Sequence, residues 1–206
     1  NLEQNPSLTA LAIESELPKE VDRMNLSRVA ERYYARSREI LGTMTLAMTT
    51  ALETDSVSHN FIVQMIPHHQ AAVEMAQNLL QYTTCVPLQE LADRIIIEQT
   101  RGIETMQDAL PDCGRPQNTE TELARYAARY RRITETMFAR MGAACESANL
   151  NAGFLLRMLP HHEGAVEMAR NALRLPVCET LRPTLCGIID TQSQELAEMR
   201  RLLRRL

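Results

Sequence analysis

Apolar residues recur along most of this chain at three- and four-residue spacing, the period of a helix with one buried face. Leu88, Leu91, Ile95, Ile103, Met106 and Leu110 form one such series. No stretch alternates with period two for long enough to make a strand. The pattern predicts helices near 19–53, 57–82, 87–109, 119–147, 150–175 and 179–206, with Pro18 close to the start of the first and Pro111 closing the third. The connections between them are short, so neighbouring helices should run antiparallel. The expected fold class is all-α, a helical bundle.

The pattern also repeats. Residues 61–80 (FIVQMIPHHQAAVEMAQNLL) and 154–173 (FLLRMLPHHEGAVEMARNAL) agree at 12 of 20 positions with a constant offset of 93. Arg32-Tyr33 matches Arg125-Tyr126, Cys85 matches Cys178, and Gln99 matches Gln192 at the same offset. The chain therefore reads as two tandem three-helix repeats, 29–113 and 122–206, joined by a linker at 114–121. Turn-forming residues of Pro111–Asn118 lead into that linker. Residues 1–28 are expected to be an N-terminal arm and the start of the first helix.

What the two copies share is selective. Ten of the 11 methionines fall into five pairs and four of the five histidines into two; Met24 and His59 stand alone. On a wheel of about 100° per residue, Met65, His68, His69, Ala72, Met75 and Ala76 share an arc of about 120°, the width of a core-facing stripe. Met158, His161, His162, Ala165, Met168 and Ala169 repeat it, while Glu74 falls on the opposite side and is expected, like Glu167, to pair with an arginine. Met44 and Met48 share a face of the preceding helix, as do Met137 and Met141. Pro67 and Pro160 precede the histidine pairs. Each either kinks a continuing helix or starts a new one.

Thioethers are soft, neutral donors suited to Cu(I), and imidazole serves both oxidation states of copper. The candidate ligands are His68, His69, Met65, Met75, His161, His162, Met158 and Met168, with Met44, Met48, Met137 and Met141 around them. The donor set favours a copper ion over zinc or iron. Neutral ligands leave the ion's charge uncompensated, which favours a monovalent ion. Methionine at helical spacing is also ordinary core filling, so a structural or partner-binding module without metal is the competing reading. A copper redox enzyme is a third. A di-iron site needs Glu-x-x-His on two helices, and no such pair occurs. The histidine pairs could form two separate sites or face each other as one cluster. His59 is expected at a helix start.

Composition narrows the class further. Aromatics are 4%, glycines number seven and Trp is absent, in keeping with an all-helical chain. The formal charge of −4 gives no support for nucleic-acid binding, and no apolar run is long enough to span a membrane. No P-loop, GxGxxG, GxSxG or HExxH motif is present, and no catalytic residue is assigned. Five cysteines without a CxxC, several beside turn residues, suit disulfides in an oxidising compartment. Spacing leaves their connectivity open, and the odd number leaves one thiol over or links two copies in a homodimer. A secreted or periplasmic protein with its signal peptide removed is the expectation that follows.

The blocks Phe61-x3-Met65-Ile-Pro-His68-His69-x2-Ala72-x2-Met75-Ala76 and Phe154-x3-Met158-Leu-Pro-His161-His162-x2-Ala165-x2-Met168-Ala169 resemble the bacterial family catalogued as domain of unknown function 305. The resemblance covers both repeats. It implies a ferritin-like helical bundle and an exported protein, and some relatives are periplasmic copper-binding proteins linked to copper resistance. Carried onto this chain, the implied ligands are Met65, His68, His69, Met75, Met158, His161, His162 and Met168. The implied role is copper buffering, transport or resistance.

Overall fold

The structure, a computed structural model, describes residues 26–115 and 118–206. The expected arm therefore lies outside the described residues up to position 25, as do Pro18 and the first part of the expected first helix. Six helices follow in order: α1 Arg28–Thr49, α2 Val57–Leu80, α3 Val86–Cys113, α4 Glu120–Gly142, α5 Leu150–Ala172 and α6 Arg182–Leu203. Among the described residues there is no strand. The all-α bundle of two three-helix repeats stands as the sequence predicts.

Local chemistry explains where the helices start. Ser27, Ser56, Thr119 and Asn149 each accept a hydrogen bond from the backbone N–H three residues on, the standard satisfaction of an orphan donor. Thr119 and Glu122 complete a reciprocal capping box. α3 and α6 begin without a side-chain cap but carry Pro87 and Pro183 in their first turn, where a missing N–H costs nothing. His59 sits in the first turn of α2 and its backbone N–H donates to Ser56, as expected of a helix-start residue.

Several ends differ from the periodicity. α2 and α5 run straight through Pro67 and Pro160, so neither proline starts a helix. α3 passes Pro111 and continues to Cys113, because tertiary bonds hold its last turn. The Cys113 carbonyl accepts from the Ser56 hydroxyl at 2.7 Å, and its sulfur is bonded to Cys178. α4 stops at Gly142, short of 147. The following loop is used elsewhere: the Tyr34 hydroxyl donates to the Ser147 carbonyl (2.9 Å) and accepts from the Ser147 N–H (3.0 Å).

Within each repeat the middle helix packs against both others. Between repeats each helix meets its own counterpart: α1 meets α4, α2 meets α5, and α3 meets α6. That arrangement is a pseudo-twofold with α2 and α5 at its centre. Repeat-related bonds support it: Asn78 donates to the Tyr33 carbonyl, and Asn171 to the Tyr126 carbonyl, both at 3.1 Å. The Cys113–Cys178 disulfide ties the end of the first repeat to the α5–α6 connection, 65 residues on. Cys85, Cys145 and Cys186 are free. No described helix is long and apolar enough to cross a membrane.

Candidate metal centre

The stripe that the wheel places on α2 and α5 faces inward. His68, His69, His161 and His162 are all at most 2% exposed, and Met65, Met75, Met158 and Met168 at most 4%. Met44, Met48, Met137 and Met141 are equally buried on α1 and α4, as are Met106 and Met199 on α3 and α6. Small residues let the central helices approach: Ala72, Ala76, Ala165 and Ala169 are fully buried. Glu74 and Glu167 lie on the outer face, paired with Arg36 and Arg170.

The two histidine pairs meet as one cluster. The rings of His68 and His161 stack with centroids 3.6 Å apart. Each is held by the other's helix: His68 Nε2 donates to the His161 carbonyl at 3.2 Å, and His161 Nε2 donates to the His68 carbonyl at 3.0 Å. A carbonyl oxygen only accepts, so each Nε2 carries the proton and each Nδ1 carries a lone pair. His162 is oriented the same way, with Nε2 2.9 Å from a carboxylate oxygen of Glu195. The rings of His69 and His162 flank the stack at 6.1 and 5.7 Å from their neighbours.

The Nδ1 atoms of all four histidines are buried without a hydrogen-bond partner. Buried polar atoms are almost always satisfied, so four orphans in one cluster call for a ligand, a water or an ion. The side-chain oxygens of Gln99 and Gln192 are orphaned in the same way. Burial and neighbouring rings keep three of the imidazoles, those of His68, His69 and His161, neutral. Burial, and then the neighbouring His161, hold His68 well below the usual histidine range. Burial and His162 do the same to His161. Burial, with His162 second, brings His69 down to about 3. His68, His69 and His161 are therefore neutral nitrogen donors beside the neutral sulfurs of the buried methionines.

Among the described residues, no three His, Cys, Asp or Glu side chains are drawn together into a group that could hold a metal ion. An ion bound here would need thioethers to complete its coordination. Glu195 escapes sequence reasoning because it breaks the repeat: its counterpart is Gly102. Gln99 and Gln192 are visible in the sequence as a repeated pair, but nothing in an uncharged amide marks it as part of a site.

Comparison with curated proteins and with solved structures returns no match. The family profile described as "Domain of unknown function (DUF305)" matches residues 5–110 and again 58–203, so the buried histidine cluster lies where the two matches overlap or in the second alone. This chain belongs to the DUF305 family.

Proposed function

We propose that this protein binds Cu(I) at the histidine cluster between α2 and α5 and holds it for buffering, transport or resistance, outside the cytoplasm, without catalysing a reaction on it. The observation that carries this reading is the set of four buried Nδ1 atoms with no partner. For three of the rings an acceptor fixes Nε2 as the donor, which is how proteins orient imidazole for metal binding through the other nitrogen. The Glu195–His162 pair has the form of a carboxylate–histidine–metal arrangement. Buried methionines supply soft sulfur on the same helices, and uncharged imidazole and thioether donors in a buried core suit a monovalent soft ion better than zinc.

Anaerobic titration with Cu(I) against a competing chelator tests this. The chain should take up copper, and its melting temperature should rise with free Cu(I), because a ligand of the native state stabilises it by mass action. Changing His69 and His162 to Ala, which leaves the central stack in place, should weaken uptake. Unchanged affinity in that variant contradicts the proposal.

One observation favours a second reading, a purely structural module. The reciprocal His68–His161 bonds already lock α2 to α5, which is a packing role needing no metal. A melting temperature indifferent to copper supports that alternative.

A further inference from the structure

The pseudo-twofold is broken where α3 passes α6. On the His162 side the passage is closed. Glu195 pairs with His162 Nε2, Arg94 on α3 bridges to Glu198 on α6, and Leu91 is fully buried. The repeat-related positions on the His69 side are Gly102, Gly187, Thr105 and Thr184. Each is smaller than its counterpart, and no carboxylate or guanidinium remains at any of the four.

The result is a groove of about 280 Å³ between α3 and α6, lined by these four residues together with the exposed Glu98–Arg101 ion pair of α3, and reaching His69. At about 30 Å³ for each water, it admits several. A Cβ built on Gly102 would lie 2.8 Å from His69 Cδ2 and 3.0 Å from its Nε2. The Cδ2–Nε2 edge of the ring therefore packs directly against Gly102, and the absence of a side chain there is what lets His69 lie against α3 beside the groove. Gln99 and Gln192 also line this groove. Both are about 2% exposed, and both side-chain oxygens are without a partner. Two buried amide acceptors and an imidazole nitrogen thus stand where solvent first meets the histidine cluster.

We infer that the α3–α6 groove is the port through which the copper ion reaches the core, with Gln99 and Gln192 oxygens and His69 as its first contacts, and that Glu195 and the Arg94–Glu198 pair seal the equivalent route at His162. This rests on the proposed copper reading. The chemistry is graded. Oxygen and nitrogen at the mouth replace part of the ion's water shell, and softer sulfur lies further in. One open port and one sealed one make loading directional, although the two repeats supply matching inner donors.

The door can be read with and without copper, using the full disulfide-bonded chain. Diethyl pyrocarbonate acylates accessible neutral imidazole, and peptide mapping gives the order in which histidines react. His69 should react before His68, His161 and His162. Equal rates, or His162 first, overturn the port. In Glu195→Gly, His162 should react faster than in the wild-type chain, and an unchanged His162 likewise counts against the seal. For loading, Thr105→Glu with Gly187→Arg reproduces the Arg94–Glu198 bridge of the sealed side, and a Cβ at position 187 meets nothing within 4 Å. With Cu(I) supplied from a coloured chelator, uptake should slow roughly tenfold, as when a gate closes over a site, while its helical circular dichroism and melting stay cooperative. Uptake at the wild-type rate overturns the port. Should the wild-type chain take no Cu(I), the proposed function fails, and the order of acylation still decides whether the groove opens onto His69.

Discussion

The stacked rings of His68 and His161, 3.6 Å apart at their centroids, oppose the protonation of both. Two imidazolium ions face to face in a dry core would repel strongly. The stack therefore makes the fold dependent on pH, and the sign follows from proton counting. In the unfolded chain each histidine titrates near about 6.5. In the fold, His68 and His161 titrate well below that and His69 at about 3. Below pH about 6.5 the unfolded chain binds more protons, so stability is full above that pH and falls as the pH drops toward the folded values. Each of the three contributes a slope of up to about 1.4 kcal/mol per pH unit. The melting temperature of the protein, measured without added metal, should be flat above pH 7 and fall clearly by pH 5. A level profile between those values contradicts the assignment.

The Cys113–Cys178 bond gives a thiol count. Three cysteines are free in the fold, Cys85, Cys145 and Cys186. Alkylation under denaturing, non-reducing conditions should label three thiols, and five would mean that the bond is absent. The bond closes a loop across a separation of 65 residues, which in the chain-entropy estimate stabilises the fold by about 4 kcal/mol. Reduction should lower the denaturation midpoint accordingly.

Gly153 sits against Tyr34. A Cβ there would lie 2.3 Å from the tyrosine hydroxyl oxygen. Replacing a helical glycine by alanine ordinarily gains up to about 1 kcal/mol, but forcing an atom into a packed contact costs about 1–3 kcal/mol. The hydroxyl also holds both the N–H and the carbonyl of Ser147. Gly153→Ala should therefore destabilise on balance. A rise in melting temperature would show that Tyr34 yields without cost.

Methionine as ligand and methionine as filler part company under conservative exchange. Met75→Leu with Met168→Leu preserves volume and should cost less than about 1.5 kcal/mol per site. If the thioethers bind Cu(I), chelator competition should register weaker binding in a protein whose fold is intact. Affinity equal to wild type would assign both side chains to packing.

Much of this molecule is written in its periodicity. The three-four spacing determines the class, the constant offset of 93 determines the two repeats, and the wheel determines that His68, His69, His161 and His162 point inward. These are local properties, because a helix carries its own hydrogen bonds and its faces follow from spacing alone. Whether the histidine pairs stand apart or meet is a question about two helices 93 residues apart, and only packing answers it. Tertiary structure brought His68 against His161, held α3 past Pro111 through Ser56 and Cys178, and chose Cys113 as the partner of Cys178. It also gave meaning to a difference that the repeat leaves unexplained. Glycine at 102 and glutamate at 195 are unremarkable on a wheel. They become an opening and a seal only because each lies beside a histidine from another helix.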